Sequence, residues 1–172
     1  QQGSYVSDEY LRFDFSHYAK ISDEQILTIE KQVNELIAAS LNARVRVLPI
    51  KEAEKTGAKA FFSEKYGDEV RVVSFGEISQ ELCGGTHVHN SEEIGLFVIE
   101  SEESIAAGVR RIQARTSIGA YHLLKRRENI LHKAQVLVGA GSIYEVDDRL
   151  KAILNHEQDL RRENEKLTEK IV

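Results

Sequence analysis

Cys83-Gly84-Gly85-Thr86-His87 contains the only cysteine of the chain and sets a histidine four residues after it. A thiolate and an imidazole so spaced can share one metal ion, and zinc accepts both sulfur and nitrogen donors. The two glycines between them allow a backbone tight enough to aim both side chains at one point. Two donors make only half of a tetrahedral site. Read without its surroundings, the pair also fits a small buried hydrophobe followed by a hydrogen-bonded histidine. His89 would point the same way as His87 on an extended strand, as a further donor or as a solvent-facing side chain. His17 fits a turn-stabilising hydrogen bond at a strand end. The six histidines, His17, His87, His89, His122, His132 and His156, include no pair at the i, i+4 spacing that sets two ligands on one helix face.

These residues need elements to position them. Tyr10 to Phe15 alternates Leu11, Phe13 and Phe15 against Tyr10, Arg12 and Asp14, the period of a half-buried strand. Ser22 with Gln25 reads as a capping box, and Ile26, Ile29, Val33, Leu36 and Ile37 continue at helical spacing to about Asn42. Arg44 to Ile50 returns to alternation through Val45, Val47 and Pro49, and Lys51 to Lys55 makes a short helical turn closed by Gly57. Val70–Phe75, Ile94–Ile99 and Val109–Thr116 are β-rich runs punctuated by glycine, and the Cys83 motif lies between the first two. Ser117 to Val138 reads as a helix, ended by Gly139-Ala140-Gly141.

Beyond that break, Ser142 with Glu145 reads as another capping box. Ile143, Val146, Leu150, Ile153, Leu160, Leu167 and Ile171 fall on a and d positions of a heptad repeat, with Glu157 and Asn164 at the remaining a positions. Such a helix either packs on a partner through a narrow seam or folds back on its own domain. The expected fold is α+β: a mostly antiparallel sheet packed by helices at 23–42 and 117–138, followed by a long coiled-coil-like C-terminal helix.

Composition narrows the classes. Hydrophobic residues make up 41% and charged residues 30% of 172, as in a water-soluble globular protein. No apolar run approaches the roughly 20 residues of a membrane helix. One cysteine excludes an internal disulfide, and no secretory pattern opens the chain, so a reducing, cytoplasmic setting is expected. Methionine is absent and the chain opens on Gln1-Gln2, which points to a native start further upstream. A net charge of −5 argues against nucleic-acid binding by bulk electrostatics.

Glu81-Leu82-Cys83-Gly84-Gly85-Thr86-His87-Val88, with Ile94 to Ile99 after it, resembles the signature of the alanyl-tRNA synthetase editing domain and its free-standing relatives. Leu11-Arg12-Phe13-Asp14-Phe15-Ser16-His17 and Ala107-Gly108-Val109-Arg110-Arg111-Ile112-Gln113-Ala114 resemble two further signatures in family order. The opening Gln1-Gln2-Gly3-Ser4-Tyr5-Val6 is similar to a fourth. The resemblance covers residues 1–138 as a truncated editing domain. Residues 139–172 match the helical linker that leads to an oligomerisation domain in the synthetase branch.

The resemblance implies hydrolysis of mischarged seryl- or glycyl-tRNA(Ala), with the acceptor end of that tRNA as partner and no DNA or membrane. Cys83 and His87 would be zinc ligands. The family's other two ligands come from a His-x-x-x-His motif upstream of the position of Gln1, so this chain supplies two of four. Gln1 and Thr86 are the expected catalytic residues, and Gly84, Gly85, Arg110 and Arg111 the expected substrate- and tRNA-binding residues. Arg110 and Arg111, consecutive on a strand, face opposite sides and cannot both grip one phosphate, so one contacts RNA or orders the pocket while the other pairs with a carboxylate. Arg115 and Lys125-Arg126-Arg127 either extend a basic patch or form a solvated helix face. ATP belongs to an upstream domain of the parent enzyme. A homodimer through the C-terminal helix is expected, and the alternative function is a non-catalytic tRNA-binding and oligomerisation module.

Overall fold

The structure, a computed structural model, describes residues 1–60 and 67–170. Ile171 of the heptad pattern lies outside the described residues. Contacts divide the chain into two units, Gln1–Leu123 and Leu124–Val172.

In the first unit, β1 (Gly3–Val6), β2 (Leu11–Ser16), β7 (Val109–Thr116) and β6 (Phe97–Ala106) form an antiparallel sheet in the order β1-β2-β7-β6. One face carries Phe97, Ile99, Ile112 and Ala114, joined by Leu11 and Phe15. Helix α1 (Asp23–Ala38) covers this face with Ile26, Ile29, Val33 and Ile37. Ser22 caps α1 with the reciprocal Gln25 bond that the sequence predicts. The helix stops at Ala38 and not at Asn42, because Ser40 turns into the left-handed region at φ 52.

Helix α1 also satisfies part of the outer edge of β6. Asn34 donates to the Phe97 carbonyl at 2.8 Å and accepts from the Phe97 amide at 2.9 Å, while Glu30 accepts from the Ile99 amide at 2.5 Å. Four helical residues advance about 6 Å and two strand residues about 6.6 Å, so Glu30 and Asn34 match alternate residues of β6.

The expected strand at Ile94–Ile99 begins later and runs further. Asn90 and Glu93 form a capping box over a 3-10 turn at Ser91–Ile94, and the chain becomes a strand only at Phe97. Gly95 is required there: its φ is 66, and a Cβ would meet the Ser117 Cα at 3.2 Å.

A second antiparallel sheet, in the order β3-β4-β5, is made by β3 (Ala43–Pro49), β4 (Glu69–Phe75) and β5 (Ser79–Leu82). Helix α2 (Ile50–Lys55) packs on one face through Ala53, against Val70, Val72 and Leu82, with Leu48 and Ile50 beside them. The register pairs Leu48 with Val70 and Arg46 with Val72 on this covered side. Val45 and Val47 therefore face away from α2, and they are 48% and 63% exposed. The alternation expected for β3 is present, but Val45 and Val47 mark its uncovered face.

Helix α3 (Ser117–Val138) begins in the first unit, where Ala120 and Leu123 pack with Val98. The division by contacts falls inside α3, before Gly139-Ala140-Gly141. In the second unit α3 ends at Gly139, φ 66, and Arg149 donates to the Val138 carbonyl at 3.1 Å. Ser142 makes no side-chain cap; Glu145 instead accepts from the Gly141 amide at 3.1 Å, and a 3-10 turn precedes α4 (Val146–Glu169). Pairs such as Lys151–Asp147 and Arg161–Glu157 support α4 along its surface. Its heptad residues Leu150, Ile153, Leu160 and Leu167 remain 41%, 43%, 50% and 51% exposed. No helix among the described residues is long and apolar enough to cross a membrane.

Candidate metal centre

The Cys83 motif leaves the end of β5 on the face of the second sheet opposite α2. The register pairs Glu81 with Val73, and the Cys83 amide continues the ladder by donating to the Arg71 carbonyl at 3.0 Å. Alternation then sets Glu81, Cys83, Arg71, Val73 and Phe75 on one side of the sheet. Val45 and Val47, opposite Val73 and Arg71 on β3, extend that side as exposed apolar surface.

Both ends of the loop are anchored. The Leu82 amide donates to Lys59 at 3.0 Å upstream, and the Ala43 amide donates to the His89 carbonyl at 2.8 Å downstream. Ser91, buried, accepts from the Leu41 amide at 2.8 Å and donates to the Leu36 and Ile37 carbonyls, which ties the loop's exit to the end of α1. Arg71 holds the middle, since one guanidinium nitrogen donates to the carbonyls of Cys83 at 2.9 Å and Gly85 at 2.7 Å. The Gly85 amide in turn lies 3.4 Å from the Cys83 sulfur.

Within this frame one donor atom each from Glu81, Cys83 and His87 lies within 4.8 Å of the others. The His87 ring sits 6.4 Å from the Phe75 ring, centroid to centroid, and its Nε2 is buried without a hydrogen-bond partner among the described residues. Its nearest carboxylate oxygen, Glu81 Oε1, is 3.8 Å away. A thiol, an imidazole and a carboxylate converging around a desolvated, unpartnered nitrogen are a donor set that suits zinc. The residues present therefore fit the metal with three donors.

Gly84 and Gly85 do not owe their identity to backbone strain, since neither is among the residues with positive φ. A Cβ at Gly84 would meet nothing within 4 Å. Gly84, Gly85 and Thr86 form the exposed rim beside the three donors. His89 is exposed and enters through its backbone, while the His17 amide donates to the Gly108 carbonyl at 2.9 Å.

The other expected site residues lie on the first sheet. Gln1 donates to the Ser4 hydroxyl at 3.0 Å beside β1. Arg110 and Arg111 face opposite sides of β7, as alternation requires, and each has a carboxylate partner. Arg110 pairs with Glu102 on β6 through two nitrogens, and Arg111 pairs with Asp14 on β2 at 2.7 and 2.8 Å. Arg115 is similarly bound to Glu100 at 2.6 Å. The hydrogen bonds from Arg110 hold the Glu102 carboxyl below its usual range, and those from Arg111 do the same for Asp14. Flanking strands thus supply an acid on each face of β7.

Sequence reasoning missed Glu81 as a donor and Arg71 as a clamp. Glu81 was detectable, because it stands two residues before Cys83 and a strand points both the same way. Arg71 was not, because its partners are carbonyls that only the β4–β5 pairing brings into reach.

Residues 70–113 match the Threonyl and Alanyl tRNA synthetase second additional domain. That stretch contains most of β4, then β5, the loop, β6 and the first part of β7. Over 171 residues, 99% of the chain, it is 46% identical to an alanine–tRNA ligase of Shouchella clausii and 45% identical to one of Halalkalibacterium halodurans, covering 20% of each. An alanine–tRNA ligase of Clostridioides difficile is 46% identical over 164 residues, 95% of this chain and 18% of the relative. Along nearly its whole length the chain is thus similar to a segment of alanine–tRNA ligases. It spans about a fifth of the length of the relatives it matches.

Proposed function

We propose that this chain is the editing region of an alanine–tRNA ligase and hydrolyses the ester of tRNA(Ala) mischarged with serine or glycine at a zinc-associated site. The observation that carries this reading is the Glu81, Cys83 and His87 cluster beside the exposed Gly84-Gly85-Thr86 rim. The chemical need is clear: a pocket shaped for alanine rejects a smaller or singly hydroxylated side chain by only about 1–3 kcal/mol, so a second site must remove the errors.

Cys83 and His87 hold the metal in this reading, and zinc bound there either activates water or holds the substrate. Gly84 and Gly85 leave room for the 3′ end of the tRNA to approach backbone amides. Thr86 offers a hydroxyl to the pocket wall, and Gln1 orients substrate or water. Arg110 and Arg111 serve by fixing β2, β6 and β7 through their carboxylate partners. ATP-dependent joining of alanine to tRNA belongs to another region of such an enzyme, which works in the cytoplasm.

The test is deacylation of Ser-tRNA(Ala) and Gly-tRNA(Ala) by this chain and by a form extended upstream through the family's two histidines. Hydrolysis by the extended form supports the reading, and inertness of both forms overturns it. A second role is favoured by the exposed heptad seam of α4, namely a homodimer through that helix. Sedimentation is expected to show a dimer that dissociates when Leu160 and Leu167 are changed to Gln.

A further inference from the structure

Besides Cys83 and His87, β5 brings the Glu81 carboxylate into the same cluster. We infer that Glu81 is a metal ligand, and that with Cys83 and His87 it forms a three-point site that binds one zinc-like divalent cation in this chain alone. The inference rests on the proposed role of Cys83 and His87 as metal donors, and not on hydrolysis.

Three observations carry it. First, the period of β5 and the bond from the Cys83 amide to the Arg71 carbonyl set Glu81 and Cys83 on the same face, two residues apart. Second, Glu81 Oε1 lies 3.8 Å from His87 Nε2, beyond hydrogen-bond reach, and that nitrogen is buried and has no partner among the described residues. Two donors each about 2.1 Å from a tetrahedral zinc stand roughly 3.4 Å apart, so the observed gap fits an ion between the groups better than a direct bond. Third, Arg71 shares this face but donates to the Cys83 and Gly85 carbonyls, which leaves the Glu81 carboxylate facing His87 and Cys83.

Charge agrees with the geometry. A thiolate, a carboxylate and a neutral imidazole bring two negative charges to a divalent cation, which leaves the enclosed group neutral. The fourth position stays free for water, substrate or a histidine from another segment.

The rival role for Glu81 is that of an outer carboxylate that only orients the His87 ring. Cobalt titration of the metal-free chain separates the two, because a cysteine thiolate gives cobalt a charge-transfer band and the visible bands report the number of donors. The wild-type chain is expected to take up one cobalt, displaceable by zinc. Loss of an outer partner costs about 10–100-fold in affinity. Glu81→Gln, which keeps a neutral acceptor of the same length, is expected to exceed that range and to shift the visible bands. Glu81→His, which restores a donor, is expected to recover most of the affinity, and Glu81→Asp to fall between. Circular dichroism melts show which variants are folded, and the Asp and His variants carry the test if Gln does not fold.

Wild-type affinity and spectrum in folded Glu81→Gln overturns the inference, as does a wild-type chain that takes up neither cobalt nor zinc. Deacylation is scored separately. Activity that survives without Glu81-dependent metal uptake sinks this inference and leaves the editing function standing, whereas metal uptake without deacylation by either chain length does the reverse.

Discussion

The two sheets of the first unit treat their polar groups in opposite ways. On the four-stranded sheet Arg110, Arg111 and Arg115 are each tied to a carboxylate on a neighbouring strand. At the end of the three-stranded sheet Glu81, Cys83 and His87 converge, and the buried His87 nitrogen has no partner among the described residues. Closed pairs hold strands in register, whereas open donors wait for a ligand. The arginine–carboxylate pairs therefore read as scaffold here, and His87 is where the proposed site departs from that pattern.

Core truncation should break this contrast most strongly. Leu82→Ala and Ile112→Ala each remove a buried side chain and are expected to cost about 2–5 kcal/mol in urea unfolding. Only Leu82→Ala, next to Cys83, should also weaken cobalt binding. At the site itself, Cys83→Ser is expected to lower metal affinity and deacylation by roughly 100-fold or more, with a melting midpoint close to wild type. Arg71→Ala should cost about tenfold in metal affinity by freeing the Cys83 and Gly85 carbonyls, and Arg71→Lys should restore part of it.

The closed pairs make their own prediction in acid. Because the folded Asp14 and Glu102 carboxyls are held below their ordinary values of 3.8 and 4.5, the unfolded chain takes up protons first as pH falls. Their stabilisation is complete above those values and is lost as pH drops through the lowered folded ones. Urea unfolding from about pH 5 to about pH 2 should show this loss, and Arg111→Gln should remove the Asp14 share of it. The smallest effect on stability is expected for Gly84→Ala, within about 1 kcal/mol, since no left-handed φ or close contact demands glycine. Deacylation should fall more than stability does if the tRNA end passes that point.

What could be read in the sequence was what local chemistry decides. The Ser22–Gln25 cap, the apolar stripe of α1, the alternation of β7 and the heptads of α4 all depend on near neighbours. β5 escaped because Ser79-Gln80-Glu81-Leu82 has no β-branched residue and becomes a strand through pairing with β4. The orientation of β3 escaped because alternation reveals two faces without saying which one α2 will cover. Cys83 and His87 were legible as a pair from spacing. The partners of Arg110 and Arg111 depended on which strands flank β7, and Arg71 on the pairing of β4 with β5.

Glu30 and Asn34 of α1 act on Phe97 and Ile99 as a neighbouring strand would. A helix that impersonates a strand gives the four-stranded sheet a direction of growth. At the start of β6 the places where another chain could zip on are already filled, so templated association is blocked there.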